Sequence, residues 1–212
     1  MTSTMNTTTA EDWADTAVHV LGLCLGVIGA IVMLALAIDS PHAWQIVPSI
    51  VYVAGLIAML GCSAVYNVWQ SCGRREWLRR LDHAAIFIMI AGTYTPLAVR
   101  LPGAWAIGLM AGVWVPAVAG VAAKLFQPRR VEALSVVLYL ALGWAGLIAL
   151  EPLLASIDGT ILALLLAGGL IYSGGVAFHL ARRLRYRRAL WHGAVLLAAA
   201  VHYAALLSML GA

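Results

Sequence analysis

Seven apolar runs of roughly membrane-spanning length, joined by short connections, restrict this chain to one architecture: a bundle of transmembrane helices. About 20 apolar residues in helical form cross the hydrocarbon core. A backbone crossing lipid must also satisfy its own hydrogen bonds, which a helix does within the segment. The runs lie near 16–38, 45–69, 82–99, 104–124, 132–150, 159–180 and 190–210. The expected fold class is therefore an all-α integral membrane protein with seven transmembrane helices. Residues 1–15 are expected to be a short polar tail and 16–212 a single membrane domain, because no connection is long enough to hold another. Charged residues make up only 10% of the chain, against about 25% in a soluble domain. The tail carries acids rather than a basic stretch, so it does not read as a cleaved signal peptide.

The basic residues are unevenly placed. Twelve of the 13 Lys and Arg fall on the connections after runs two, four and six or on the adjoining helix ends, and Arg100 stands alone on the other set. The positive-inside rule then puts those connections and the amino terminus in the cytoplasm and the carboxyl terminus outside. The net charge of +4 comes from these loops rather than from a nucleic-acid-binding patch, so the expected partners are membrane lipids. Trp13, Trp44, Trp69, Trp77, Trp105 and Trp191 lie near run ends, where an indole suits the interface. Gly22, Gly26, Gly29, Gly168, Gly169, Gly174 and Gly175 read as helix-packing positions. Cys24, Cys62 and Cys72 form no CxxC pair, which argues against a disulfide framework or a cysteine zinc site.

Polar residues gather at the expected inner ends of runs two, three and seven. Ser63 and Asn67 are four apart and share a helix face, as do Arg188 and His192. Asp82 opens run three, where it is expensive in lipid without a partner and where a helix N-cap is its plainer role. The plainer roles of the others are a hydroxyl returned to the helix backbone for Ser63, interface hydration for Asn67, and a snorkelling topology charge for Arg188. His192 is also read as a hydrogen-bonded interior residue, while His19 and His179 are read as structural. His202 lies ten residues beyond His192, about 15 Å along the same helix, too far to share an ion with it.

At these residues the chain resembles the haemolysin III family, the bacterial branch of the progestin and adipoQ receptor family. EDWADTAVHVLGL at 11–23 is similar to the family's opening signature, with Asp15 standing for the usual Asn and His19 retained. SAVYN at 63–67 corresponds to its SxxxH motif, and LDHAAIFIMIAGTYTP at 81–96 to its most distinctive segment. LYLALGWAGL, GGLIYSGGVAF and RALWHGAVLLAAAVHYAAL follow, the last over the HxxxH segment. The resemblance implies a protein of the bacterial plasma membrane with a site at the inner leaflet. It implies zinc held by the histidines of SxxxH and HxxxH, with Ser and Asp beside it. Carried over, Ser63 and Asp82 are the family-equivalent catalytic residues and His192 the remaining metal ligand. Asn67 and Arg188 stand where the other two histidines would be.

An arginine cannot give up its proton to coordinate a metal, and catalytic zinc ordinarily has three protein ligands. The two replacements therefore argue against zinc at these positions. The expectation is that Arg188 supplies the missing positive charge, pairing with Asp82 across helices and hydrogen-bonding Asn67. The leading reading is a non-catalytic, lipid-sensing or membrane-homeostasis protein with a degenerate metal site. The alternative is a zinc-dependent lipid amide or ester hydrolase in which His83 or His179 rebuilds the ligand set. A third, pore formation, lacks the continuous polar stripe that a conduction path needs.

Overall fold

The computed structural model describes residues 2–69, 73–128 and 134–211, with side chains from residue 10 onward. Cys72, Arg129 and Arg130 lie outside the described residues. Seven helices are long and apolar enough to cross a membrane: Ala10–Asp39, Ala43–Val68, Arg75–Ala98, Gly103–Phe126, Ser135–Ser156, Gly159–Leu180 and Arg187–Ser208. They are called spans one to seven. The described residues contain no strand.

Span three is the centre of the bundle, with 61% of its most apolar stretch buried inside the protein. Spans two and four flank it; span one packs on two, and seven on one. Span six packs on seven, and span five closes the ring against three, four and six. Spans two and three approach closely backbone to backbone. A Cβ on Gly55 would lie 3.1 Å from the Ile88 carbonyl oxygen, and one on Gly92 would lie 3.2 Å from that of Val51. Small residues matter at such crossings because lipid tails are as apolar as leucine, leaving close packing to hold helices together. The glycines of span one serve a related purpose: Gly22 receives Leu196, Gly26 receives Leu60 and Gly29 receives the ring of Tyr203.

Three boundaries differ from those expected. Span three starts at Arg75 rather than 82, because its first turns are polar but still helical. Glu76 pairs there with Arg79 at 3.1 Å and Arg80 at 3.2 Å, and Arg80 donates to the Leu125 carbonyl at 3.0 Å. Asp82 is therefore buried two turns inside the helix and is not an N-cap. Helix one runs from Thr2, so the acids assigned to a tail are helical, and Asp15 is among the most buried side chains.

Span five reaches Ser156 but is broken. Helical segments Ser135–Gly143 and Leu150–Ser156 are joined by a 3₁₀ turn over Ala145–Ala149. A break at membrane depth leaves backbone groups to be satisfied. Tyr94 of span three does this: its hydroxyl donates to the Gly143 carbonyl at 2.5 Å and accepts from the Gly146 N–H at 2.9 Å. Just before span six, Asp158 accepts from the Thr160 N–H at 2.7 Å as a true N-cap. That bond holds its carboxyl below the usual range.

Candidate functional site

A cavity of about 880 Å³ opens inside the bundle. Its walls are largely aliphatic and aromatic, from Met59 and Ile90 to Leu153 and Leu162. Its charged lining residues, Arg75, Asp82, Lys124, Arg187 and Arg188, all come from the ends of spans three, four and seven at one end of the bundle. Ser63, Asn67, Asp82, Arg188 and His192 line this one cavity. The helix faces inferred from spacing thus bring those side chains to a common space. The pairings among them differ from the expected ones.

Arg188 ion-pairs with span one. Its Nη2 contacts Asp12 Oδ1, and its Nε lies 3.5 Å from Asp15 Oδ2. No ion pair joins it to Asp82 among the described residues, so the expected Asp82–Arg188 bridge is absent. The reason is direction: helix seven carries Arg188 toward span one, where Asp12 and Asp15 share a face.

Asp82 instead faces the Ser63 hydroxyl. The Asn67 amide donates to the Ser63 carbonyl at 3.0 Å and to its hydroxyl at 3.4 Å. Asn67, Ser63 and Asp82 therefore form one polar chain between spans two and three. Arg188 takes no part in it.

His192 also turns to span one. Its Nδ1 lies 2.6 Å from Asp15 Oδ1 and donates to that carboxylate. His19 approaches the same oxygen, with Nε2 at 3.8 Å, and its ring centroid is 4.4 Å from that of His192. Asp15, His19 and His192 offer three ligand atoms within 4.8 Å of one another, a group able to hold a metal ion. His19, read from the sequence as structural, lies in this group. The signal was available in the sequence: Asp12, Asp15 and His19, spaced three and four apart, share a helix face once the helix is continued through the polar stretch.

The zinc position implied by resemblance does not fit. Asn67 is turned to Ser63, and Arg188 is committed to two carboxylates. Of the three positions, only His192 retains a ligating side chain. Among the described residues, neither His83 nor His179 belongs to the Asp15, His19 and His192 group. His83 Nδ1 lies 3.4 Å from Lys124 Nζ, whereas His179 packs on Trp191 with ring centroids 5.1 Å apart. Trp191 is half-buried and lines the cavity, unlike the exposed indoles of Trp13 and Trp69.

Seven apolar helices around a cavity charged at one end define a multi-pass integral membrane protein with an internal cavity. The family model described as haemolysin-III related matches residues 7–203, and the chain belongs to the haemolysin III family. It is 32% identical over 190 residues to the hemolysin-3 homolog of Bacillus subtilis (strain 168), covering 89% of each chain. To hemolysin-3 of Bacillus cereus it is 32% identical over 183 residues, covering 86% of this chain and 84% of the relative. It is also similar to the human monocyte to macrophage differentiation factor, at 27% identity over 203 residues, covering 92% and 83%. With its bacterial relatives and seven spans, it is a multi-pass protein of the bacterial plasma membrane.

Proposed function

We propose that this protein binds a membrane lipid, with an acyl chain in the internal cavity and the polar end of the lipid beside Ser63, Asp82 and Arg188, in a sensing or membrane-homeostasis role. The observation that carries this reading is the cavity itself. At about 880 Å³ it is of ligand-binding size, mostly apolar along its length and charged only at one end. That distribution complements an amphiphile. The orientation belongs to the same proposal: the Arg-rich end faces the cytoplasm by the positive-inside rule, so the lipid comes from the inner leaflet.

Native mass spectrometry of protein extracted in mild detergent tests the reading. The wild-type protein should carry acyl lipid, and Ile90→Trp, which fills the cavity wall, should lose most of it while remaining folded. Equal lipid content in both would contradict the proposal. A second reading, hydrolysis of a lipid amide or ester, is favoured by His19 and His192 sharing this cavity with Ser63 and Asp82. Release of fatty acid from an N-acyl or ester lipid by purified protein, abolished by Asp82→Asn, would establish it.

A further inference from the structure

We propose that Asp15, His19 and His192 form a binding site for a divalent transition-metal ion of the zinc class, tying span one to span seven on a ligand set unlike the one implied by resemblance. This site stands independently of the lipid reading.

Three observations support it. First, Asp15 Oδ1, His19 Nε2 and His192 Nδ1 all lie within 4.8 Å of one another. Ligands on a tetrahedral zinc with bonds of about 2.0–2.1 Å sit about 3.3 Å apart. The two separations to Asp15 Oδ1, 2.6 Å and 3.8 Å, bracket that spacing, so shifts under 1 Å would seat an ion.

Second, the His19 side chain is 93% or more buried, with 7% of the residue's surface exposed, and its Nε2 has no hydrogen-bond partner among the described residues. An unsatisfied buried polar atom is costly, and the great majority are paired. This one points toward a carboxylate and a second imidazole. An ion at their centre would satisfy it.

Third, the donor set is chemically suited: two imidazoles and one carboxylate are ligands zinc takes in open sites, leaving a position for water or a substrate atom. Seating the ion displaces the proton on His192 Nδ1 to solvent, since a ligating imidazole must be neutral at that nitrogen. Asp15 divides its two oxygens. Oδ1 faces the imidazoles and Oδ2 faces Arg188. Arg188, itself anchored by Asp12, therefore orients the carboxylate. Its positive charge also opposes the ion, so the metal should exchange rather than lock in permanently.

The test uses the full chain in mild detergent, stripped with chelator and titrated with Co²⁺ and then Zn²⁺. We expect one Co²⁺ per chain with the visible absorption of a tetrahedral N/O site, displaced by Zn²⁺, and a rise in Tm with Zn²⁺. His19→Gln and Asp15→Asn should each weaken Co²⁺ binding at least tenfold, whereas His179→Gln should not. Absence of stoichiometric binding by wild-type protein would overturn the proposal. So would His19→Gln binding as tightly as wild type, or Asn67→Ala losing the ion while His19→Gln keeps it. The Zn²⁺-dependent Tm rise is read on the wild type, so the proposal remains exposed even where a variant fails to fold.

Discussion

Removing the Asp15 carboxylate should destabilise this protein more than removing any other acid of the site. The side chain of Asp15 is 2% exposed, takes a 2.6 Å hydrogen bond from His192 and lies 3.5 Å from the Arg188 guanidinium. Breaking a buried pair from one side costs about 3–5 kcal/mol when the remaining charge is left wholly uncompensated. Here the Arg188 side chain is 37% exposed and keeps Asp12, so most of that charge penalty is relieved. What remains is the lost His192 bond, to a charged acceptor, at about 1.5–3 kcal/mol, with a small share from Arg188. Asp15→Ala should therefore cost about 2–3 kcal/mol by this bookkeeping. Asp12→Ala should cost less than about 1 kcal/mol, because the Asp12 side chain is 49% exposed. Asp82→Asn should also stay within about 1 kcal/mol, since Arg188 does not depend on it and an amide can keep the contact to Ser63. Graded SDS unfolding in mixed micelles, followed by tryptophan fluorescence, measures all three. If Asp82→Asn is the most destabilising, Arg188 pairs with Asp82 after all and the span-one clamp is wrong.

Tyr94→Phe removes one hydroxyl that serves both sides of the break in span five, and should cost about 1–3 kcal/mol in the same unfolding assay, being two interhelical hydrogen bonds of roughly 0.6–1.7 kcal/mol each. A cost near zero would mean that the 3₁₀ turn satisfies itself. Gly92→Val places a branched side chain where even a Cβ lies 3.2 Å from the Val51 carbonyl, so spans two and three must separate. A loss of about 1–3 kcal/mol is expected from such overpacking, and wild-type stability would refute the close crossing. In planar bilayers the purified protein should pass no ionic current, because the charged lining of the cavity is confined to one end. Discrete conductance steps would revive the pore reading.

Much of the fold was legible because lipid imposes a simple rule on sequence: a spanning helix must be apolar for about 20 residues. Spans two, four, six and seven follow it closely. Span three was read short because Arg79, Arg80 and Asp82 interrupt its hydropathy, while the helix continues through them on ion pairs and a long arginine reaching Leu125. Span five was placed but its break was not, since the 3₁₀ turn between Gly143 and Leu150 depends on a tyrosine 49 residues earlier.

At the site, spacing put Ser63 with Asn67 and Arg188 with His192, and one cavity receives all four together with Asp82. The pairings were not legible. Which neighbour a helix face meets depends on rotation about the helix axis, and span seven turns Arg188 and His192 toward span one. Asp15 was missed because it precedes the first apolar run, so hydropathy alone assigns it to a tail. His19 was missed because its partner was.

Density in an experimental structure of the protein, extracted in mild detergent without added lipid, tests the central claim most directly. An elongated feature should thread the cavity, with its apolar length beside Ile90 and Leu162 and its polar end near Ser63, Asp82 and Arg188. A cavity holding only separate water peaks, or one closed by repacked side chains, would contradict it.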